Sequence, residues 1–108
     1  MAQAVSAEAV NTLVLACEAG MGSSLMSVNA LKKKLKKANV KNVTVLHKPA
    51  RAIPQDAQVV IVHKGLANVA RSKAPNAVVV TFSHFLNDPA FDYIVQTLAD
   101  GGEIQASE

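Results

Sequence analysis

A chain of 108 residues, half of them hydrophobic and 18% charged, has the length and composition of one globular domain rather than a disordered segment. Four aromatic residues (Phe82, Phe85, Phe91, Tyr93) are too few for a base-stacking platform, and a lone cysteine excludes an internal disulfide. The net charge of +3 owes much to Lys32, Lys33, Lys34, Lys36, Lys37 and Lys41, and with no recognition motif beside them nucleic acid is not an expected partner.

Residues 1–10 lack the basic start and long apolar stretch of a signal peptide, so they are expected to form a loose leader. No apolar run approaches the roughly 18 residues needed to span a bilayer, so direct membrane insertion is not expected. The lone cysteine makes a reducing cytoplasm the default compartment. One domain is expected over 11–101, with a frayed tail over 102–108.

Thr12-Leu13-Val14-Leu15-Ala16 is a continuous apolar run, the pattern of a strand covered on both faces. A loop from Cys17 to Gly22 follows. Ser23 or Ser24 is expected to cap a helix reaching about Asn39, which serves as its C-terminal cap. Leu25, Val28, Leu31, Leu35 and Ala38 give that helix one buried stripe. Its lysines lie opposite and read as a solvated face, with docking to an acidic protein as the alternative.

Asn42 to His47 predicts a second strand, and Pro49 and Pro54 place Lys48 to Asp56 in a surface loop. Val59-Val60-Ile61-Val62 predicts a third strand, β-branched throughout. His63-Lys64-Gly65 turns into a short helix over Leu66 to Ser72, with Leu66, Val69 and Ala70 on its apolar side. Pro75 and Asn76 break the chain before a fourth strand, Ala77 to Phe82. Asp88 and Pro89 start a last helix, with Phe91, Ile94, Val95 and Leu98 as its stripe and Gly101-Gly102 at its end.

Strands alternating with helices predict a small three-layer α/β fold, Rossmann-like. A four-stranded parallel sheet of order 2-1-3-4 is flanked by helices through right-handed crossovers. In such sheets ligands bind beyond the C-terminal strand ends, where the strand order reverses. That point lies between the first and third strands, which end at Cys17 and His63.

The segment Cys17-Glu18-Ala19-Gly20-Met21-Gly22-Ser23-Ser24 suits an anion. Its glycines let successive amides turn inward, and the following helix adds free amides and the positive end of its dipole. Those donors lower the pKa of a thiol, and they also match the oxygens of a phosphoryl group carried on sulfur. No Gly-Lys-Ser/Thr follows, so this is not a nucleotide-binding P-loop, and a third glycine for a dinucleotide fingerprint is missing. One cysteine with scattered histidines is a poor zinc set, so neither metal nor cofactor is expected. Cysteine-dependent phosphatases place arginine six residues after their cysteine, and here that position holds Ser23. Without the bidentate clamp, the loop is expected to keep a phosphocysteine for another acceptor rather than hydrolyse it.

Val14 to Ser24 resembles the phosphorylation loop of the IIB domains of the bacterial sugar phosphotransferase system. It is most similar to the mannitol-type branch, where Cys-Asp-Ala-Gly-Met-Gly-Ser-Ser is typical. The resemblance runs over roughly 11–100. Val60-Ile61-Val62-His63-Lys64 is similar to that branch's third-strand end, and Phe85-Leu86 to its Asn-Phe-Leu turn. Glu18 stands for the usual Asp, and His84 departs from the Asn of that turn.

The resemblance implies a fold similar to low-molecular-weight tyrosine phosphatases and a phosphocarrier role. Cys17 would take a phosphoryl group from a phosphohistidine of a IIA protein. It would pass it to a sugar, mannitol in this branch, bound by the membrane IIC component. Backbone amides from Glu18 through Ala19, Gly20, Met21, Gly22, Ser23 and Ser24 would form the cradle, with a serine hydroxyl as an extra donor. The chain would then work in the cytoplasm, held at the inner face of the membrane through IIC. His63 is a candidate neighbour of the phosphoryl group, whereas His47 and His84 read as structural and Glu18 as a surface residue. Two rivals stay open: a phosphorylation-sensing IIB-like module of a transcription regulator, and a small cysteine-dependent phosphatase or arsenate reductase.

Overall fold

The computed structural model describes residues 4–17, 22–40, 43–83 and 89–106. Chain order is β1 (Ala4–Ser6), a 3-10 turn (Ala7–Ala9), β2 (Thr12–Cys17), α1 (Gly22–Lys37), β3 (Thr44–Pro49), a 3-10 turn (Ala50–Ala52), β4 (Val59–His63), a 3-10 turn (Lys64–Leu66), α2 (Ala67–Lys73), β5 (Val78–Phe82), α3 (Pro89–Asp100) and β6 (Glu103–Gln105). Four strands form a parallel sheet in the order β3-β2-β4-β5, the order expected from the sequence. Among the described residues no helix is long and apolar enough to cross a membrane.

The apolar runs form strands because both faces of the sheet are covered. Leu13, Leu15 and Ile61 meet α1 and α3 on one face. Val14, Val60 and Val62 meet Ala70, Ala74, Ile53 and Ala57 on the other. Removing each such side chain from water contributes about 1.5–3 kcal/mol, so burial on two faces outweighs local helix propensity here.

Several boundaries differ from expectation for identifiable reasons. β3 runs on through Lys48 to Pro49, where a loop was expected, because it is an edge strand and a terminal proline there forfeits no ladder bond. α2 begins at Ala67, so Ala67, Ala70 and Ala74 face inward, while Val69, expected on the apolar side, is 39% exposed. α1 begins at Gly22, so Ser23 and Ser24 lie in its first turn and neither is its cap. The expected cap Asp88 lies outside the described residues, but Pro89 is the first residue of α3, as expected. Of the lysine face, Lys32, Lys33, Lys36 and Lys37 are exposed, whereas Lys34 binds Asp92 of α3 at 2.8 Å. Both partners of that pair are partly exposed, so it adds little stability.

The expected loose leader and frayed tail are instead tied together. Ala4–Ser6 and Glu103–Gln105 pair antiparallel, and Ile104 is fully buried in the α1–α3 face of the core. The Tyr93 hydroxyl accepts from the Gln105 amide at 2.9 Å, which holds β6 against α3. Gln58 clamps the entry to the sheet: its Oε1 accepts from the amides of Asn11 (2.9 Å) and Thr12 (3.2 Å), and its Nε2 donates to the Ala9 carbonyl (2.6 Å).

Both long helices end in a left-handed residue. Asn39 has φ 61°, with the Asn39 amide bonded to the Lys36 carbonyl and the Val40 amide to the Leu35 carbonyl, a Schellman closure. Gly101 has φ 74°, and the Gly102 amide reaches the Thr97 carbonyl at 3.1 Å. A Cβ at Gly101 would meet nothing within 4 Å, so a side chain there is opposed by backbone conformation alone. Gly101→Ala is therefore expected to lose about 1–2 kcal/mol in urea unfolding. Gly102→Ala, whose Cβ would make an ordinary 3.6 Å contact with Thr97, should lose less. Equal losses at the two positions would contradict this account.

Candidate functional site

The site is built by the sheet register. Cys17 is the last residue of β2 and stands opposite Pro49 of β3. On its other side Ala16 pairs with Val62, so His63 of β4 is the next residue along from that pair, as Cys17 is on β2. His63 in turn pairs with Phe82 of β5. One row, Pro49–Cys17–His63–Phe82, thus crosses the C-terminal edge of the sheet. The chain leaves β2 toward β3 and later returns to β4 on the far side, which makes the β2–β4 boundary the switch point where such sheets bind ligands.

α1 starts at Gly22, five residues after Cys17. The amides of Gly22, Ser23 and Ser24 belong to the helix's first turn, where main-chain donors have no partner within the helix and the dipole is positive. Those amides can bind an anion beside the end of β2. Glu18, Ala19, Gly20 and Met21 lie outside the described residues, as does His84.

His63 is held from two sides. Its Nδ1 accepts from the Gly65 amide at 3.2 Å, which in the neutral ring places the proton on Nε2. Its ring meets Phe82 edge-on, with centroids 5.8 Å apart and planes at 89°. Phe82 in turn packs on Phe91 of α3 at 5.1 Å. His47 faces a different fate: it is exposed and pairs with Leu15, two residues short of the Cys17 row. Among the described residues no three His, Cys, Asp or Glu side chains converge as a metal site would require. Three cations near this edge, Lys48, Arg51 and Lys64, have no periodic signature in the sequence; only the strand register shows that they share one end of the sheet.

These features define a doubly wound parallel α/β domain with a cysteine and a helix N-terminus at its switch point. The family model described as "PTS system, Lactose/Cellobiose specific IIB subunit" matches residues 12–96, and the chain belongs to this family. It is 40% identical over 97 residues to a mannitol-specific EIICB component of Bacillus subtilis, covering 90% of this chain and 20% of that protein. It is also 40% identical over 91 residues to a mannitol-specific EIICBA component of Buchnera aphidicola, covering 84% of this chain and 14% of that one. A mannitol-specific EIICB component of Staphylococcus saprophyticus is 40% identical over 89 residues, 82% of this chain and 18% of the relative. The chain spans about a fifth or less of the curated relatives it matches.

Proposed function

We propose that the chain is the phosphocarrier of a sugar phosphotransferase system, with Cys17 as the residue that carries the phosphoryl group. The observation that supports this most is the position of Cys17 in a IIB-family chain. It ends the switch-point strand, and a helix N-terminus begins five residues later. In the first step a lone pair of the Cys17 thiolate forms the S–P bond as the P–N bond of a phosphohistidine on a IIA donor breaks. The electrons of that bond return to the imidazole nitrogen. In the second step a sugar hydroxyl oxygen attacks phosphorus, the S–P bond breaks, and Cys17 is released as thiolate. The hydroxyl proton goes to a base in the sugar site. Charge on the transferring group is spread over three oxygens, so the main-chain amides of Gly22, Ser23 and Ser24 at the start of α1, together with those proposed from Glu18 to Met21, stabilise it without covalent participation.

The sugar proposed is mannitol, bound by a membrane IIC component. Support comes from relatives named as mannitol-specific that are 40% identical over 84% and 90% of this chain, whereas the lactose and cellobiose of the family description name the family as a whole. The domain is proposed to work in the cytoplasm, held at the inner face of the membrane through that component. His63, one strand over from Cys17, is proposed to lie beside the phosphoryl group with Nε2 as its donor.

The test is to incubate the chain with phosphoenolpyruvate, the general phosphotransfer proteins and a IIA donor, then locate the phosphate by mass spectrometry under non-acidic conditions. A phosphate on Cys17 that moves to mannitol when IIC-containing membranes are added supports the reading. No label on Cys17 defeats it. Rapid turnover of an aryl phosphate by the isolated chain would point to a phosphatase instead.

A further inference from the structure

Both strands that flank β2 end in cations. On β3, Lys48 pairs with Ala16 and Pro49 with Cys17, and Arg51 follows in the 3-10 turn two residues on. On β4, His63 stands in the row of Cys17 and Lys64 comes one residue after it. Strands lie about 4.8 Å apart and rise about 3.3 Å per residue, so all three cations sit within a few residues of the Cys17 row, on both sides of it. Arg51 and Lys64 are exposed and Lys48 is half-buried.

The described carboxylates lie elsewhere or are already paired. Glu8 precedes β2, Asp56 precedes β4, and Asp100 and Glu103 follow the returning helix α3, so all four lie toward the opposite end of the strands. Asp92 is held by Lys34. None of the described carboxylates pairs with Lys48, Arg51 or Lys64.

We infer that Lys48, Arg51 and Lys64 form a docking rim for the acidic face of the protein that delivers the phosphoryl group to Cys17. The inference rests on the relay reading above and specifies how its donor is recognised. A protein carrying a phosphorylated side chain must bring a doubly negative group to the Cys17 row, which this rim flanks on both sides. Carboxylates surrounding that group would meet cations on both flanking strands at once. Exposed charges of this kind act chiefly on encounter, raising association rates about 10- to 1000-fold at low ionic strength, and add less to the affinity of the formed complex. The larger lysine cluster of α1 is in the wrong place for this. Lys32, Lys33, Lys36 and Lys37 occupy the last turns of a helix that runs back from Cys17 toward the other end of the sheet.

The test compares the triple variant Lys48→Gln, Arg51→Gln, Lys64→Gln with the quadruple variant Lys32→Gln, Lys33→Gln, Lys36→Gln, Lys37→Gln. Phosphorylation of Cys17 is followed from a IIA donor loaded by phosphoenolpyruvate, at low and high salt. The triple variant is expected to lose about tenfold in kcat/KM at low salt, with the difference closing at high salt as screening takes over. Its final stoichiometry of Cys17 labelling should equal that of the unchanged chain. The quadruple variant should stay within about twofold. An unchanged triple variant, an equal loss in the quadruple variant, or a loss that persists at high salt would overturn the docking rim. If the unchanged chain takes no label on Cys17, the relay reading itself fails and the rim falls with it.

Discussion

Cys17→Ser is expected to abolish phosphoryl relay, with initial labelling from the IIA donor reduced at least about 1000-fold and no sugar phosphate formed. Serine has nearly the shape of cysteine, so the strand end and the start of α1 are preserved and circular dichroism should not change. The chemistry does change. A thiol, with a reference pKa of about 8.5, supplies a nucleophilic thiolate, whereas a hydroxyl remains protonated and weakly nucleophilic. Any phosphoserine formed would also be a poor donor, so even slow labelling would end the relay rather than delay it. Mass spectrometry of the unchanged and substituted chains, side by side, checks both points. Equal labelling of the two would show that the phosphate resides elsewhere, and the histidines would then be the residues to examine. His63 is a weak candidate for that role because its Nδ1 is already engaged by the Gly65 amide.

The adjacency of Cys17 and His63 was legible in the sequence because it follows from strand order, and strand order follows from alternation of apolar runs with helical stripes. Val59 to Val62, β-branched throughout, reads as a strand covered on both faces, and the spacing of Phe91, Ile94 and Val95 reads as the inner side of a helix; all are buried. What the sequence concealed depends on contacts between distant segments. The β1–β6 ribbon is two runs of three residues almost the whole chain apart, too short to show a period of two. Gln58 reads as an ordinary polar residue until the chain folds its side-chain amide under the amides of Asn11 and Thr12. Val69 points outward because the inward face of this short helix is Ala67, Ala70 and Ala74, small side chains that give little hydropathy signal beside Leu66 and Val69. Lys48, Arg51 and Lys64 share no spacing at all, and only the register of β3 and β4 on β2 brings them to one rim.

Phe91→Ala is expected to be the most damaging substitution away from Cys17, and its effect should reach the site. Phe91 is 1% exposed and joins α3 to the sheet through Phe82, with ring centroids 5.1 Å apart. Truncation removes most of a buried aromatic side chain and leaves a cavity that the β-branched strands around it can only partly fill. The expected loss is about 3–5 kcal/mol. Domains of this size hold only about 5–15 kcal/mol in total, so this is a large fraction, equivalent to a fall in Tm on the order of 15 °C. Phe91→Leu keeps most of the volume and should lose markedly less. The functional consequence follows from the ring contacts: Phe82 sits between Phe91 and His63, and His63 meets it edge-on. At a temperature where both variants remain folded, Phe91→Ala should therefore slow phosphorylation of Cys17 more than Phe91→Leu does, with kcat affected rather than salt dependence. Thermal unfolding and initial rates measured on the same preparations separate the two effects. A loss of stability below about 1 kcal/mol would mean that α3 is not seated through this ring. A large loss of stability with unchanged kcat would mean that Phe82 does not pass the disturbance on to His63, and that the row across the sheet edge is held by β4 and β5 alone.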